Sequence, residues 1–367
     1  MGPLLALGVV AAIAVPAAAQ TRPNAGTLLE AQPPAPVFPR QGEPRISLPE
    51  NRPAAGTAAS VRITPTAFRL TGNTLFSSAE LTALLASFVG QPVDIAGLTA
   101  AATTVSNYYR SKGYLLTEAY LPEQALAATG GTVTIRVIEA RIGKATVEVK
   151  GEASSLSRSF AEDVMARHLV QGDAITEYGL DKPILLLRDL AGYDASAVVE
   201  PGDNPGEANV RVAISSRGPR VEGSVSVDNH GASAAGAIHA SANVNINNLA
   251  GRGDVLSVGG QISDQAGSRL YRAAYALPVG GWGTRVGLNA ARLNYALGKQ
   301  FAALGATGKA ELFGVSVSHP LLRARETNVY AQASADRKRL LDETATPVLK
   351  SDREIVLITS HATVLKL

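Results

Sequence analysis

Apolar residues recur along this chain in two rhythms, and the change falls near Arg217-Gly218-Pro219. Before it, helical stripes alternate with short strands. Leu98, Ala101, Ala102, Val105, Tyr108 and Tyr109 recur at helical spacing and predict an amphipathic helix. Arg110 and Lys112 in its last turn and Gly113 just beyond suit the negative end of the dipole and a left-handed cap. Tyr114 to Leu121 reads as a strand stopped by Pro122. After a Gly130-Gly131 turn, Val133, Ile135 and Val137 alternate in a second strand. Upstream, Phe68 to Thr71 is a strand leading into Gly72-Asn73, and Ser77 to Glu80 has a capping-box pattern. Leu81, Leu84, Leu85 and Phe88 form a further stripe, broken by Gly90-Gln91-Pro92. The unit is a β-α-α-β-β module.

The same unit follows again. Ala145 to Lys150 reads as a strand ending in Gly151, and Ser159 with Glu162 caps a helix bearing Val164, Met165 and Leu169. Leu180, Ile184, Leu187 and Ala191 stripe the next helix, which Gly192-Tyr193 ends; Val210, Val212 and Ile214 alternate in a closing strand. One offset separates Gly72 from Gly151 and Tyr114 from Tyr193. Landmarks that hold register this way indicate a duplication, with modules over residues 61–140 and 141–217.

Beyond the change, the period is two. Val221, Val225 and Val227 alternate with Glu222, Ser224, Ser226 and Asp228, and Ile238 to Asn247 alternates in the same way. Further runs cover 254–263, 268–277, 284–295, 308–319, 327–336 and 354–367. Segments of about ten residues with one apolar and one polar face are the pattern of an antiparallel transmembrane β-barrel; a soluble sandwich is the competing reading. Short turns at 248–253, 278–283 and 320–325 face longer connections at 296–307 and 337–353, the asymmetry expected of periplasmic turns and external loops.

The N-terminus adds an apolar run from Leu4 to Val15 and Ala17-Ala18-Ala19 before Gln20, read as a signal peptide over residues 1–19. Residues 20–60 are rich in proline and cannot build a core, apart from a possible short helix over 24–30. The chain has no cysteine, which excludes disulfides and thiolate metal sites, and its net charge of +3 gives no argument for nucleic acid. Its five histidines show no zinc-binding spacing, and no G-x-S-x-G occurs, so neither a metal, a cofactor nor an enzymatic activity is expected. Arg252-Gly253-Asp254 reads as a hairpin turn rather than an adhesion motif.

Several stretches together resemble the outer-membrane transporters of two-partner secretion, the haemolysin-activator and haemagglutinin-transporter family. They are Gly72 to Phe76, Tyr109 to Leu115, Leu121-Pro122-Glu123-Gln124, Val137 to Ile142, Leu185 to Tyr193, Glu200-Pro201-Gly202, Val227 to Gly231, Asn247 to Leu249 with Gly253-Asp254, Tyr275 to Pro278, and His319-Pro320-Leu321 with Arg323. The resemblance implies two periplasmic polypeptide-transport-associated (POTRA) domains before a barrel of roughly sixteen strands. It also implies translocation of a secreted exoprotein bearing an N-terminal secretion domain. Outer-membrane lipid and, during biogenesis, the barrel assembly machinery are the other partners expected. A helix at Asn24, Leu28 and Leu29 matches the position of a pore plug. The stretch from Arg220 to Leu367 has room for about seven or eight spanning strands, so only about half a barrel is expected. Such a sheet leaves two edges in lipid, and a truncated reading frame or fragment is the expectation. A barrel-assembly factor of the same superfamily, or a surface adhesin or porin, is the alternative.

Function then rests on surfaces. In a module of this kind the second strand lies on a sheet edge, here Thr117, Glu118, Ala119, Tyr120 and Leu121, and Asp194, Ala195, Ser196, Ala197, Val198, Val199 and Glu200. Backbone groups on such edges can pair with an extended client by strand addition.

Overall fold

The computed structural model describes residues 23–30, 44–48, 62–124, 131–150, 156–264 and 267–366. The expected signal peptide and most of the proline-rich segment lie outside them.

The first module comprises β2 (Ala67–Thr71), α2 (Ser78–Ala83), α3 (Ile95–Ser111), β3 (Glu118–Tyr120) and β4 (Thr132–Ile138). β4 lies between the other two strands, parallel to β2 and antiparallel to β3. The stripe of α3 packs against this sheet: Leu98, Ala101, Ala102, Val105 and Tyr109 are buried with Val133, Ile135 and Val137. The Ser77 side chain accepts from the Glu80 amide, as a helix N-cap should. At the other end of α3, Tyr114 N–H bonds back to Tyr109 O at 3.0 Å and Gly113 has φ +87°. That left-handed cap uses up Gly113 and Tyr114, so the strand expected from Tyr114 to Leu121 shortens to three residues. Past Pro122 the ladder is continued by a side chain. Gln124 donates to Thr134 O and accepts from Thr134 N–H, each at 2.8 Å.

The second module repeats the plan with β5 (Arg141–Val149), α4 (Arg158–His168), α5 (Glu177–Arg188), β6 (Tyr193–Pro201) and β7 (Glu207–Ser216). β7 is parallel to β5 and antiparallel to β6. Helix α4 begins two residues earlier than its sequence suggests: Ser157, not Ser159, is the cap, accepting from Phe160 N–H. This sheet has a fourth strand. β1 (Arg45–Ser47), from the proline-rich segment, lies parallel on β6.

The remaining strands, β8 (Val221–Asp228), β9 (His239–Asn247), β10 (Val255–Ser263), β11 (Ser268–Val279), β12 (Thr284–Ala296), β13 (Thr307–Arg323), β14 (Thr327–Ala345) and β15 (Val348–Lys366), form one eight-stranded antiparallel sheet in sequential order. Val225, Val227, Ile262, Tyr271, Phe313, Val356 and Ile358 are exposed on it, as lipid-facing residues would be. The long loop expected over 337–353 is instead a continuation of β14 and β15, paired from Arg337↔Val356 to Ala345↔Val348. Arg337 pairs with Glu354 and Arg339 with Asp352 there, at 2.9 and 3.2 Å. Cross-strand ion pairs suit a hairpin standing in water, and the charges that make this stretch read as loop lie on the exposed face of the extension. Helix α1 (Ala25–Glu30) packs against the sheet, with Ala25 and Leu29 buried beside Leu293, Tyr295, Ala310 and Leu340.

Candidate client-binding edges and the module joints

The two expected client edges differ in what occupies them. In the first module Ala119 N–H does not pair with β4; it donates to Ser106 Oγ at 2.8 Å. Ser106, on the apolar face of α3 and 3 % exposed, thereby caps the middle of the edge strand with a side chain. Thr117 is buried and its N–H reaches Tyr114 O at 3.4 Å. Glu118 and Tyr120 pair with Ile138 and Arg136, and Leu121 follows the strand.

In the second module all of Asp194 to Glu200 lies in β6, with Ala195, Ala197 and Val199 buried and Asp194, Ser196, Val198 and Glu200 on the other face. The expectation of an open edge fails over Ser196, Ala197 and Val198, which pair with Arg45, Ile46 and Ser47 of β1. A chain segment fills the place foreseen for a client. Pro44 before and Pro49 after these residues mark the segment in sequence, but a three-residue strand between prolines has no periodicity to reveal it.

The two modules meet at Glu139. Its carboxylate accepts from Thr74 N–H (2.7 Å), Leu75 N–H (2.8 Å), Tyr109 Oη–H (2.8 Å) and the Thr74 hydroxyl. Burial pushes the Glu139 carboxyl up, but these hydrogen bonds outweigh it and hold the group below the usual carboxylate range. Burial raises the Tyr109 phenol, and Glu139 adds to the effect. Gly72 at φ +83° admits the loop, since a Cβ there would lie 2.3 Å from Val137 O. Phe76 then packs edge-on against Tyr108, Tyr109 and Tyr114. Arg141 crosses to the second module, bonding Thr74 Oγ1 and Gly172 O, both at 2.9 Å.

The second module meets the sheet at three hairpin turns. Asp189 accepts both Nε–H and Nη2–H of Arg323 at 2.9 and 2.8 Å, with both side chains at most 5 % exposed. Arg323 also donates to Asn328 Oδ1 at 2.8 Å, and a register shift between Pro320 and Leu322 precedes it. Arg325 bonds both oxygens of Asp181 at 2.6 and 2.9 Å. At the next turn Asn248 donates to Tyr193 Oη at 2.6 Å, and Gly253 (φ +70°) lies so close to Leu190 that a Cβ would sit 2.5 Å from it. Asp254 is fully buried and accepts from Ala250 N–H and the Tyr275 hydroxyl, so Arg252-Gly253-Asp254 is a built turn. At the third turn Trp282 packs edge-on against His168 with Arg167 over its ring. Burial, then Lys182, lower the His168 pKa to about 4.

Helix α1 holds two of the three expected plug residues, Leu28 and Leu29, and Asn24 immediately precedes it. Asn24 Oδ1 accepts from Thr27 N–H, Leu28 packs at the edge of the buried cluster, and Leu29 is buried in it. Ala25 N–H donates to Asp342 Oδ1 at 2.8 Å and Lys338 reaches Glu30 at 3.4 Å. Asp342 was not legible as a partner of the helix, because it lies within the stretch read as loop.

Known proteins carry the same parts. The ShlB-type POTRA domain family matches residues 63–140, and the family "Haemolysin secretion/activation protein ShlB/FhaC/HecB" matches 206–351. Most of the chain thus matches domains of this haemolysin secretion/activation type. It is similar to the heme/hemopexin transporter protein HuxB of Haemophilus influenzae, with 30% identity over 76% of this chain and 48% of that protein. It is also similar to the outer membrane transporter CdiB of Escherichia coli, with 28% identity over 65% of this chain and 39% of that protein. The chain thus spans about half the length of HuxB. Among solved structures, CdiB from Escherichia coli superposes with a TM-score of 0.66 at 23% identity, covering 86% of this chain and 58% of that one. CdiB from Acinetobacter baumannii gives 0.55 at 16% identity, covering 89% and 62%. These matches place the chain in the outer membrane with its POTRA modules in the periplasm.

Proposed function

We propose that this protein recognises a secreted exoprotein in the periplasm through its POTRA modules and passes it along the inner face of a β-barrel to which these eight strands belong. The observation that carries the reading is the Asp189–Arg323 dock. It fixes the second module, with its long edge strand, at the turn end of the sheet whose other face holds α1. The client is an extended polypeptide led by an N-terminal secretion domain; its recognition needs backbone pairing and no catalytic step. Lipid covers the apolar outer face, and the barrel assembly machinery inserts it during biogenesis. Helix α1 acts as the plug, held by Asp342 and displaced when a client passes. The test is binding of the cognate exoprotein's secretion domain to the full chain in detergent. Saturable binding that a soluble fragment of the modules competes away is expected; no binding at any concentration overturns the reading.

A further inference from the structure

We infer that the outward face of β11, β12 and β13, at the end of the sheet away from the modules, binds a phosphorylated glycolipid of the outer leaflet. The site lies off the proposed client path and depends only on the sheet standing in the outer membrane. Leu270, Leu293 and Ala310 are buried against α1 on one face of these strands. Neighbouring residues of a strand point to opposite faces, so Arg269, Arg292, Asn294, Lys309 and Glu311 lie on the other, beside the exposed Tyr271 and Phe313. The second module docks at the turns after β9, β11 and β13. Arg269 and Lys309 stand at the starts of β11 and β13 and Asn294 near the end of β12, so they mark the opposite, cell-surface end. Register groups these residues. Arg269 faces Asn294, which faces Lys309; two residues further into the membrane Tyr271 faces Arg292, which faces Glu311. The next row, Ala273, Ala290 and Phe313, is apolar.

Charge is out of balance here and nowhere else along this rim. Among the described residues Arg269 and Lys309 form no ion pair, and Arg292 reaches only Glu311, at 3.7 Å. That carboxylate also faces Arg339 of β14. On β14 and β15, by contrast, Arg337, Arg339 and Lys350 each have a carboxylate partner within 3.2 Å. Three cations against one carboxylate, about 7 Å above an apolar wall, fit an anionic headgroup whose acyl chains run down past Tyr271 and Phe313. Each such cation adds attraction to an anionic membrane surface, and phosphate takes charge-assisted hydrogen bonds from guanidinium and ammonium. Arg269 and Lys309 are two strands apart, about 10 Å. A headgroup with one phosphate fills one end of that row; a disaccharide phosphorylated at both ends fills it all. The Asn294 amide and Tyr271 hydroxyl lie between the cations and suit the sugar hydroxyls.

The test is a native mass spectrometry titration of the full chain in detergent with diphosphoryl lipid A, monophosphoryl lipid A and phosphatidylglycerol. Diphosphoryl lipid A should bind saturably and most tightly, monophosphoryl lipid A less tightly and phosphatidylglycerol least. Arg269→Gln with Lys309→Gln should weaken diphosphoryl lipid A about thirtyfold. Arg269→Lys with Lys309→Arg keeps the charge and should retain binding. Arg337→Gln with Glu354→Gln removes a neutral pair from the same rim and should change nothing. Inorganic phosphate, equimolar with the lipid, should not displace it, because the acyl chains contribute. Equal binding by the glutamine double variant and the unaltered chain overturns the inference. So does a ranking in which phosphatidylglycerol matches diphosphoryl lipid A, or displacement of the lipid by equimolar phosphate. The ranking is read on the unaltered chain, so it decides the matter even if the glutamine variant fails to fold.

Discussion

The two modules share one plan and differ in how each is tied to the rest of the molecule. The first has a three-residue edge strand whose outward amide is taken by Ser106, and it joins its neighbour through Glu139. The second has a nine-residue edge of which three residues pair with β1, and it grips the transmembrane sheet through Asp189 and Arg323. A duplicated fold thus has two outcomes: the first module closes its own edge, while the second is clamped to the sheet and has the middle of its long edge strand paired with β1.

The largest expected effect breaks the clamp. Asp189→Ala leaves the buried Arg323 charge without its carboxylate, which costs about 3–5 kcal/mol, so the second module should come loose from the sheet. Limited proteolysis should then cut near Arg217–Arg220 faster than in the unaltered chain. Replacing Asp189 and Arg323 together by well-packed apolar residues should cost much less than either single change.

Next is the Glu139 joint. Glu139→Ala strands the amides of Thr74 and Leu75 and the Tyr109 hydroxyl, at a cost of about 2–3 kcal/mol. Because the folded state holds this carboxyl below its usual range, its contribution is present above that range and is lost as pH falls through the folded pKa. Urea titrations at neutral and acid pH should show that loss, and Glu139→Gln should flatten it. His168 acts at the other joint in the same direction but in a higher window. Its pKa is lowered to about 4 by burial and Lys182, so the neutral form is the one folded in. Its contribution is full above about 6.5, the ordinary histidine value, and fades as pH falls toward 4. Loosening of the second module between those values, absent in His168→Phe, is the expected proteolysis result.

The smallest effect sharpens the comparison of edges. Ser106→Ala should cost about 1 kcal/mol and release Ala119 N–H, and any client binding it adds measures what the first edge can offer. Ala119→Pro removes the same Ser106 contact rather than a client bond, so its effect belongs to folding.

Much of this was legible because its physics is local. Period-two strands, helix stripes and the glycines at 72, 113 and 192 announce themselves within a few residues, and the duplicated plan follows from them. The stretches resembling the family carried more than they showed. Gly72 to Phe76, Tyr109 to Leu115 and Glu139 turn out to be one hydrogen-bonded joint, and Asp189, Asn248, Gly253 and Arg323 another. What stayed hidden depends on distant partners: Ser106 is an ordinary polar residue until Ala119 is beside it, and Arg45-Ile46-Ser47 is an ordinary linker until it meets β6. The extension of β14 and β15 was hidden by its charges, which pair only across strands.

The most direct test of the central claim is hydrogen exchange of the full chain with and without the exoprotein's secretion domain. The account predicts that amides of Tyr193–Pro201 gain protection, with Glu118–Tyr120 unchanged. Protection gained at Glu118–Tyr120, with Tyr193–Pro201 unchanged, would contradict it.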